Sequence, residues 1–252
     1  MTGLKSRRTA ILALGVAAGL TLLALGGCAS TGAGKFQCAG TSGREDTGNG
    51  WWYAGFMFNW PQDVEDPYLE DDVLIAHQIV SPVLERYKKE IQLWRFHRRA
   101  ARDEVGHRFS FIFYTTAANA RKIYAAIDSS SVLNQLKAEG VIQRVAMDDA
   151  NVIARPGIEA TSDPKWSPSL QKAWPFFIMG VSRTWLDLIS QHAEGAGKKP
   201  ASIAEMRSFY REISEKVEST WKEEGGHAFL HHLNALFGYG PVNLRGKTEM
   251  RF

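Results

Sequence analysis

Phe109, Phe111 and Phe113 alternate with Ser110, Ile112 and Tyr114. Successive side chains of a strand point to opposite faces, so this period of two commits residues 107–116 to a strand with one strongly aromatic face. Residues 91–101 read as its partner. The five residues between them, Arg102-Asp103-Glu104-Val105-Gly106, form a turn in which Gly106 can take a positive φ, so the product is a hairpin. Residues 117–140 follow as helix, in two pieces broken near Ser129-Ser130-Ser131, and residues 141–147 as a further strand. The order β-β-α-β predicts an α+β fold, with helices on one face of a mainly antiparallel sheet.

The flanking segments extend this pattern. Residues 51–60 (WWYAGFMFNW) are dense in aromatic residues and suit a strand and the core it covers. Asp63, Glu65, Asp66, Glu70, Asp71 and Asp72 lack the ligand spacing of a calcium loop, and read as a solvated face and as charge at a helix N-terminus. Val73, Ala76, Ile79, Val83 and Tyr87 recur at helical spacing. Pro82 interrupts them, with Ser81 ahead of it as an N-cap candidate, so the helix is expected to kink or restart there. Residues 151–169 form a long connection, and three helical stretches follow at about 169–193, 201–224 and 227–237.

The N-terminus gives an address. Lys5, Arg7 and Arg8 precede an apolar run from Ala10 to Leu25 that ends in Gly26-Gly27-Cys28, which is the layout of an export signal. A cysteine directly after Leu-Gly-Gly resembles the lipobox of bacterial lipoproteins. The resemblance implies cleavage before Cys28, a diacylglycerol on its sulfur and an acylated new amino terminus. Three parts follow: a signal peptide (1–27), a lipidated cysteine and glycine-rich linker (28–50), and a single α+β domain (51–252). The linker would span about 25 Å as a coil. Ala29 is not the aspartate that holds such proteins at the inner membrane, so the expected location is the outer membrane facing the periplasm, if the cell has one. Cleavage lowers Lys plus Arg from 30 to 27, level with 27 Asp plus Glu. A mature chain of zero formal charge has no global electrostatic reason to bind nucleic acid. Its expected partners are the membrane, through the lipid, and a peptide or another envelope protein. Cys38 is the second of the two cysteines; with Cys28 lipidated it has no intrachain partner, and is either free or paired between chains.

Two constellations carry potential chemistry. Arg95, His97, Arg98, Arg99, Arg102, His107 and Arg108 crowd the hairpin, and guanidinium forks there suit a carboxylate or a phosphate, with Arg95, Arg98, Arg99 and Arg108 as ligand-binding candidates. The alternative is a solvated face paired with the acidic segments. Strand alternation sends Trp94, Phe96 and Arg98 one way and Arg95, His97 and Arg99 the other. On the late helix, His227 and His231 lie one turn apart, a spacing that suits a zinc pair. Ala228 stands where zincin chemistry needs glutamate, so a metal is not the expectation. Leu230, Leu233, Leu236 and Phe237 form an apolar stripe beside them, which should draw His231 inward to a polar partner and leave His232 toward solvent. There is no P-loop, dinucleotide glycine pattern or Gly-x-Ser-x-Gly elbow, and no cofactor is expected.

The segments IVSPVL (79–84), LWRFHRR (93–99), GHRFSF (106–111) and LHHLNALFG (230–238), in that order, resemble the C-terminal elimination domain of lanthipeptide and thiopeptide dehydratases. The resemblance implies that Arg98 or Arg99, His107 and His231 or His232 are catalytic candidates acting on a glutamylated peptide. Ala235 stands where the late motif has arginine, and Phe109, Ser110 and Ile112 where the hairpin strand has further arginines. The expectation is therefore a lipid-anchored envelope protein whose domain binds a ligand, peptide or protein without catalysis. An elimination enzyme is the alternative. Convergence of those arginines and histidines on one cleft distinguishes the two.

Overall fold

The computed structural model describes residues 48–195, 200–244 and 247–250. The leader, Cys28, Cys38 and the linker through residue 47 lie outside them. β1 (Asn49–Phe58) starts two residues inside the stretch expected to be linker, because Asn49 and Gly50 pair with Thr116 and Thr115. After it, α1 (Leu69–Ile75) passes through a π-helical turn (Ala76–Val80) into α2 (Ser81–Arg86). The interruption at Pro82 thus takes the form of a widened turn rather than a new start. Ser81 is itself helical and makes no capping bond, since the chain never leaves the helical region there.

The hairpin is β2 (Leu93–Arg99) and β3 (Arg108–Thr116), and Gly106 takes φ 65° in its turn. α3 (Ala117–Asp128) and α4 (Ser131–Ala138) divide at the serines, and Thr116 and Ser130 cap them by accepting from Asn119 N–H and Leu133 N–H. β4 (Ile142–Met147) follows. The four strands form one antiparallel sheet in the order β2-β3-β1-β4. The sequence order β-α-β-β-α-β with this spatial order is the split βαβ arrangement, in which each helical crossover joins two parallel strands with a third between them. The fold is α+β with an antiparallel sheet, as the strand periods predict.

Register divides the residues between two faces. Trp52, Ala54 and Phe56 lie opposite Phe113, Phe111 and Phe109, and Trp94 and Phe96 join them from β2. This face packs against α1 to α4, burying Ile75, Ile79, Ile123, Ile127, Leu133 and Leu136. At about 25 cal/mol per Å² of apolar area, burial of so many aromatic and branched side chains is the main favourable term in folding.

Two long helices complete the molecule. α5 (Pro168–Glu194) crosses from one sheet face to the other along the outer edge of β2. Its Trp174 lies over Arg95 on one side, and its Trp185 packs on Phe96 and Phe109 on the other. Between them Ser182 Oγ accepts a hydrogen bond from Phe96 N–H at 3.1 Å, satisfying an edge donor of the sheet. α6 (Ile203–Gly225) packs on α1 and continues through a π-helical turn (Gly226–His231) into α7 (His232–Leu236). β5 (Val242–Leu244) and β6 (Lys247–Met250) form a separate pair.

The acidic residues that open α1 are not a solvated face. Glu70, Asp71 and Asp72 are all buried. Each is tied to a different cation: Glu70 to Arg211, Asp71 to both arms of Arg207 at 2.8 and 3.0 Å, and Asp72 to Arg98 Nε at 2.7 Å. Burial pushes the Asp71 carboxyl up to about 6, against the opposing pull of Arg207. Charge at a helix N-terminus was legible; its partners, more than a hundred residues away for two of the three, were not.

Candidate functional site

The sheet face turned away from α1 to α4 carries a cationic cluster. Strand alternation places Arg95, His97 and Arg99 of β2 on it, and the register sets His97 beside Ser110, then Gly55, then Ala146. A second cross-strand row runs Arg99, Arg108, Met57, Arg144. Like charges directly opposite one another, as Arg99 and Arg108 are, destabilise a sheet. Trp51, Leu93, Ile112 and Tyr114 fill the other end of this face with a small apolar cluster. Gly55 has no side chain, and the Tyr53 ring lies over it in the space a Cβ would take.

Several polar atoms here have no partner. Tyr53 Oη, Ser110 Oγ and the Nε atoms of Arg95, Arg99 and Arg108 are buried and make no hydrogen bond among the described residues, and Ser110 is fully buried. A buried donor left unmade costs about 1–3 kcal/mol, so a cluster of five marks this face as a candidate ligand site. Arg99 has an exposed ion pair with Asp103, and Arg155 pairs with Asp148 at the margin. Among the described residues neither Arg95 nor Arg108 has a carboxylate partner. Their guanidiniums rest on aromatic rings instead, Arg95 over Trp174 at 4.9 Å and Arg108 over Tyr53 at 5.4 Å. Burial, and then the charge of Arg155, pulls Arg95 down to about 10, so it remains a cation near neutrality. Partial desolvation, followed by the charges of Arg95, Arg108 and Arg99, holds the His97 imidazole below its usual range. The arrangement can grip an oxyanion through guanidinium and hydroxyl donors.

The remaining candidates from the sequence fall elsewhere. Arg98 lies on the opposite, helix-covered face, where Asp72 takes its Nε and the Leu69 carbonyl accepts from Nη2 at 3.2 Å. His107 Nε2 donates to the other oxygen of the same carboxylate at 3.0 Å, and the ring is 2% exposed. Arg98 and His107 therefore meet, but as a buried tie between α1 and the hairpin. His231 departs from its expected surroundings. It is half-buried, its ring neighbours are His227, His232 and Tyr239 at 5.3 to 5.6 Å, and it makes no hydrogen bond among the described residues. The stripe meant to draw it inward is covered only in part: Leu230 and Leu233 are half-buried, while Leu236 is 85% and Phe237 78% exposed. Among the described residues α7 packs chiefly on the π-helical turn that precedes it. His227 and His232 are exposed, and no group of three His, Cys, Asp or Glu among the described residues is gathered to hold a metal ion. Arg98, Arg99, His107 and His231 do not converge in these contacts.

Tyr53, Ser110 and Arg144 escaped the sequence reading. The first two sit in strands whose aromatic density reads as core, and Arg144 joins the row only through the β1–β4 register. A separate cleft of about 310 Å³ is lined by Leu84, Ile91, Trp94 and Leu186, but the charges at its rim are already paired, Lys88 with Glu85 and Arg183 with Asp187. Comparison of the chain with models of protein families, with curated proteins and with solved structures finds no match in any of the three.

Proposed function

We propose that the domain binds an anionic ligand, bearing carboxylate or phosphate oxygens, on the cationic face of its sheet, and that Cys28 tethers it by lipid to the cell envelope. The binding half rests on one observation. Among the described residues Arg95 and Arg108 have no carboxylate partner, and they share a face with the buried hydroxyls of Tyr53 and Ser110, which make no hydrogen bond there. Retaining them costs stability, and an oxyanion repays it.

Sulfate tests this, because its charge is constant across the range in which His97 titrates. Its affinity, measured calorimetrically, is expected to rise about fivefold as pH falls from about 8 to about 5, since His97 gains a proton and a charge-assisted donor. In His97→Gln the affinity stays flat over the same range. No sulfate binding in the millimolar range, or an identical rise in the variant, contradicts the site.

The anchor rests on the leader sequence alone. Cells fed labelled palmitate should label the wild-type chain and leave Cys28→Ala unlabelled and unprocessed. Equal processing of both chains removes the anchor from the proposal. Among the described residues no helix is long and apolar enough to cross a membrane.

A further inference from the structure

We infer that the anionic partner of this face is the surface of a phospholipid bilayer, with α5 lying along the headgroups beside the arginines. The inference rests on the anion-binding reading and names its ligand. Two observations carry it. First, the cations are spread out. Arg95 and Arg99 are four residues apart on one strand, about 13 Å, and Arg99 and Arg144 are three strands apart, about 14 Å, so one small oxyanion cannot satisfy them all. An extended array of anions can.

Second, the wall beside them is apolar and faces water. Leu170, Phe177 and Val181 of α5 are exposed. With Trp174 they follow the spacing i, i+4, i+7, i+11, one stripe of about 16 Å on a single side of the helix. Trp174 is the seam, since its ring also carries the Arg95 guanidinium. The buried residues of this helix, Pro175, Ser182, Leu186 and Ile189, lie on another side, so the stripe is not a misplaced core. An apolar stripe with a tryptophan at its polar border, flanked by arginines, has the chemistry of a helix seated in the interface of an anionic leaflet.

The experiment uses the full chain carrying Cys28→Ser and Cys38→Ser, with a nitroxide on Val181→Cys. The probe then reports on α5 alone, whatever the leader does. On vesicles of phosphatidylcholine with about one-third phosphatidylglycerol, the nitroxide should gain access to oxygen and lose access to a water-soluble nickel chelate by at least about threefold. Pure phosphatidylcholine vesicles should leave it unchanged, and adding Arg95→Glu and Arg108→Glu should abolish the effect. A nitroxide that stays in water on anionic vesicles overturns the bilayer inference. If sulfate still binds, the anion-site reading survives that failure; if it does not, both fall. Equal burial on uncharged vesicles also overturns it, because the arginines would then play no part. Shielding by polyglutamate with none by vesicles points instead to an acidic protein partner.

Discussion

Asp72→Ala is expected to lower the melting temperature by about 10 °C. Asp72 is fully buried and meets two partners from the hairpin, the Arg98 guanidinium of β2 at 2.7 Å and the His107 ring, just before β3, at 3.0 Å. Removing one member of a buried pair strands the others without compensation, at about 3–5 kcal/mol. Arg98 keeps 31% of its side chain in water, so the loss should sit near the lower end, and for a domain of this size about 3 kcal/mol corresponds to about 10 °C. Asp187→Ala removes the exposed partner of Arg183 and is the control, expected to shift the transition by about 1 °C or less. Scanning calorimetry of the two variants decides it, and similar small shifts in both would show that the buried tie contributes little.

The double substitution Arg95→Gln, Arg108→Gln should do the reverse. Sulfate affinity is expected to fall at least about 100-fold, from the loss of two charge-assisted interactions of about 1.5–3 kcal/mol each. The melting temperature should hold or rise, because the variant no longer keeps two half-buried charges unpaired on a face already crowded with Arg99 and Arg144. A falling melting temperature with sulfate affinity intact would make these arginines structural. Opposite movements of affinity and stability separate a binding face from a packing one, which neither measurement does alone.

What the sequence revealed depended on the range of each interaction. The hairpin, the divided helix at Ser129 to Ser131 and the sorting of Arg98 from Arg95 and Arg99 were legible, because period and capping act within a few residues. The acidic opening of α1 was misread because two of its partners are Arg207 and Arg211, 136 and 141 residues away. Nothing local distinguishes a carboxylate that will be buried from one that will be solvated. His231 failed for a related reason. Its amphipathic stripe was real, but Leu236 and Phe237 at the far end stay exposed, and a helical period does not say which neighbour, if any, lies against it. The arginines of the candidate site were visible as a cluster. The hydroxyls of Tyr53 and Ser110, and the row that reaches Arg144, needed the register of three strand pairs.

The route of α5 limits how this protein can assemble. With Ser182 occupying a backbone donor of β2 and the helix lying along that strand, one end of the sheet is sealed. The other end is β4, whose Gln143 and Arg144 are exposed. A sheet open at a single end can join a second copy, β4 against β4, but the resulting eight strands would be closed at both extremities. Growth of this sheet by strand addition would therefore terminate at two subunits, a protection against open-ended stacking that comes from where α5 lies.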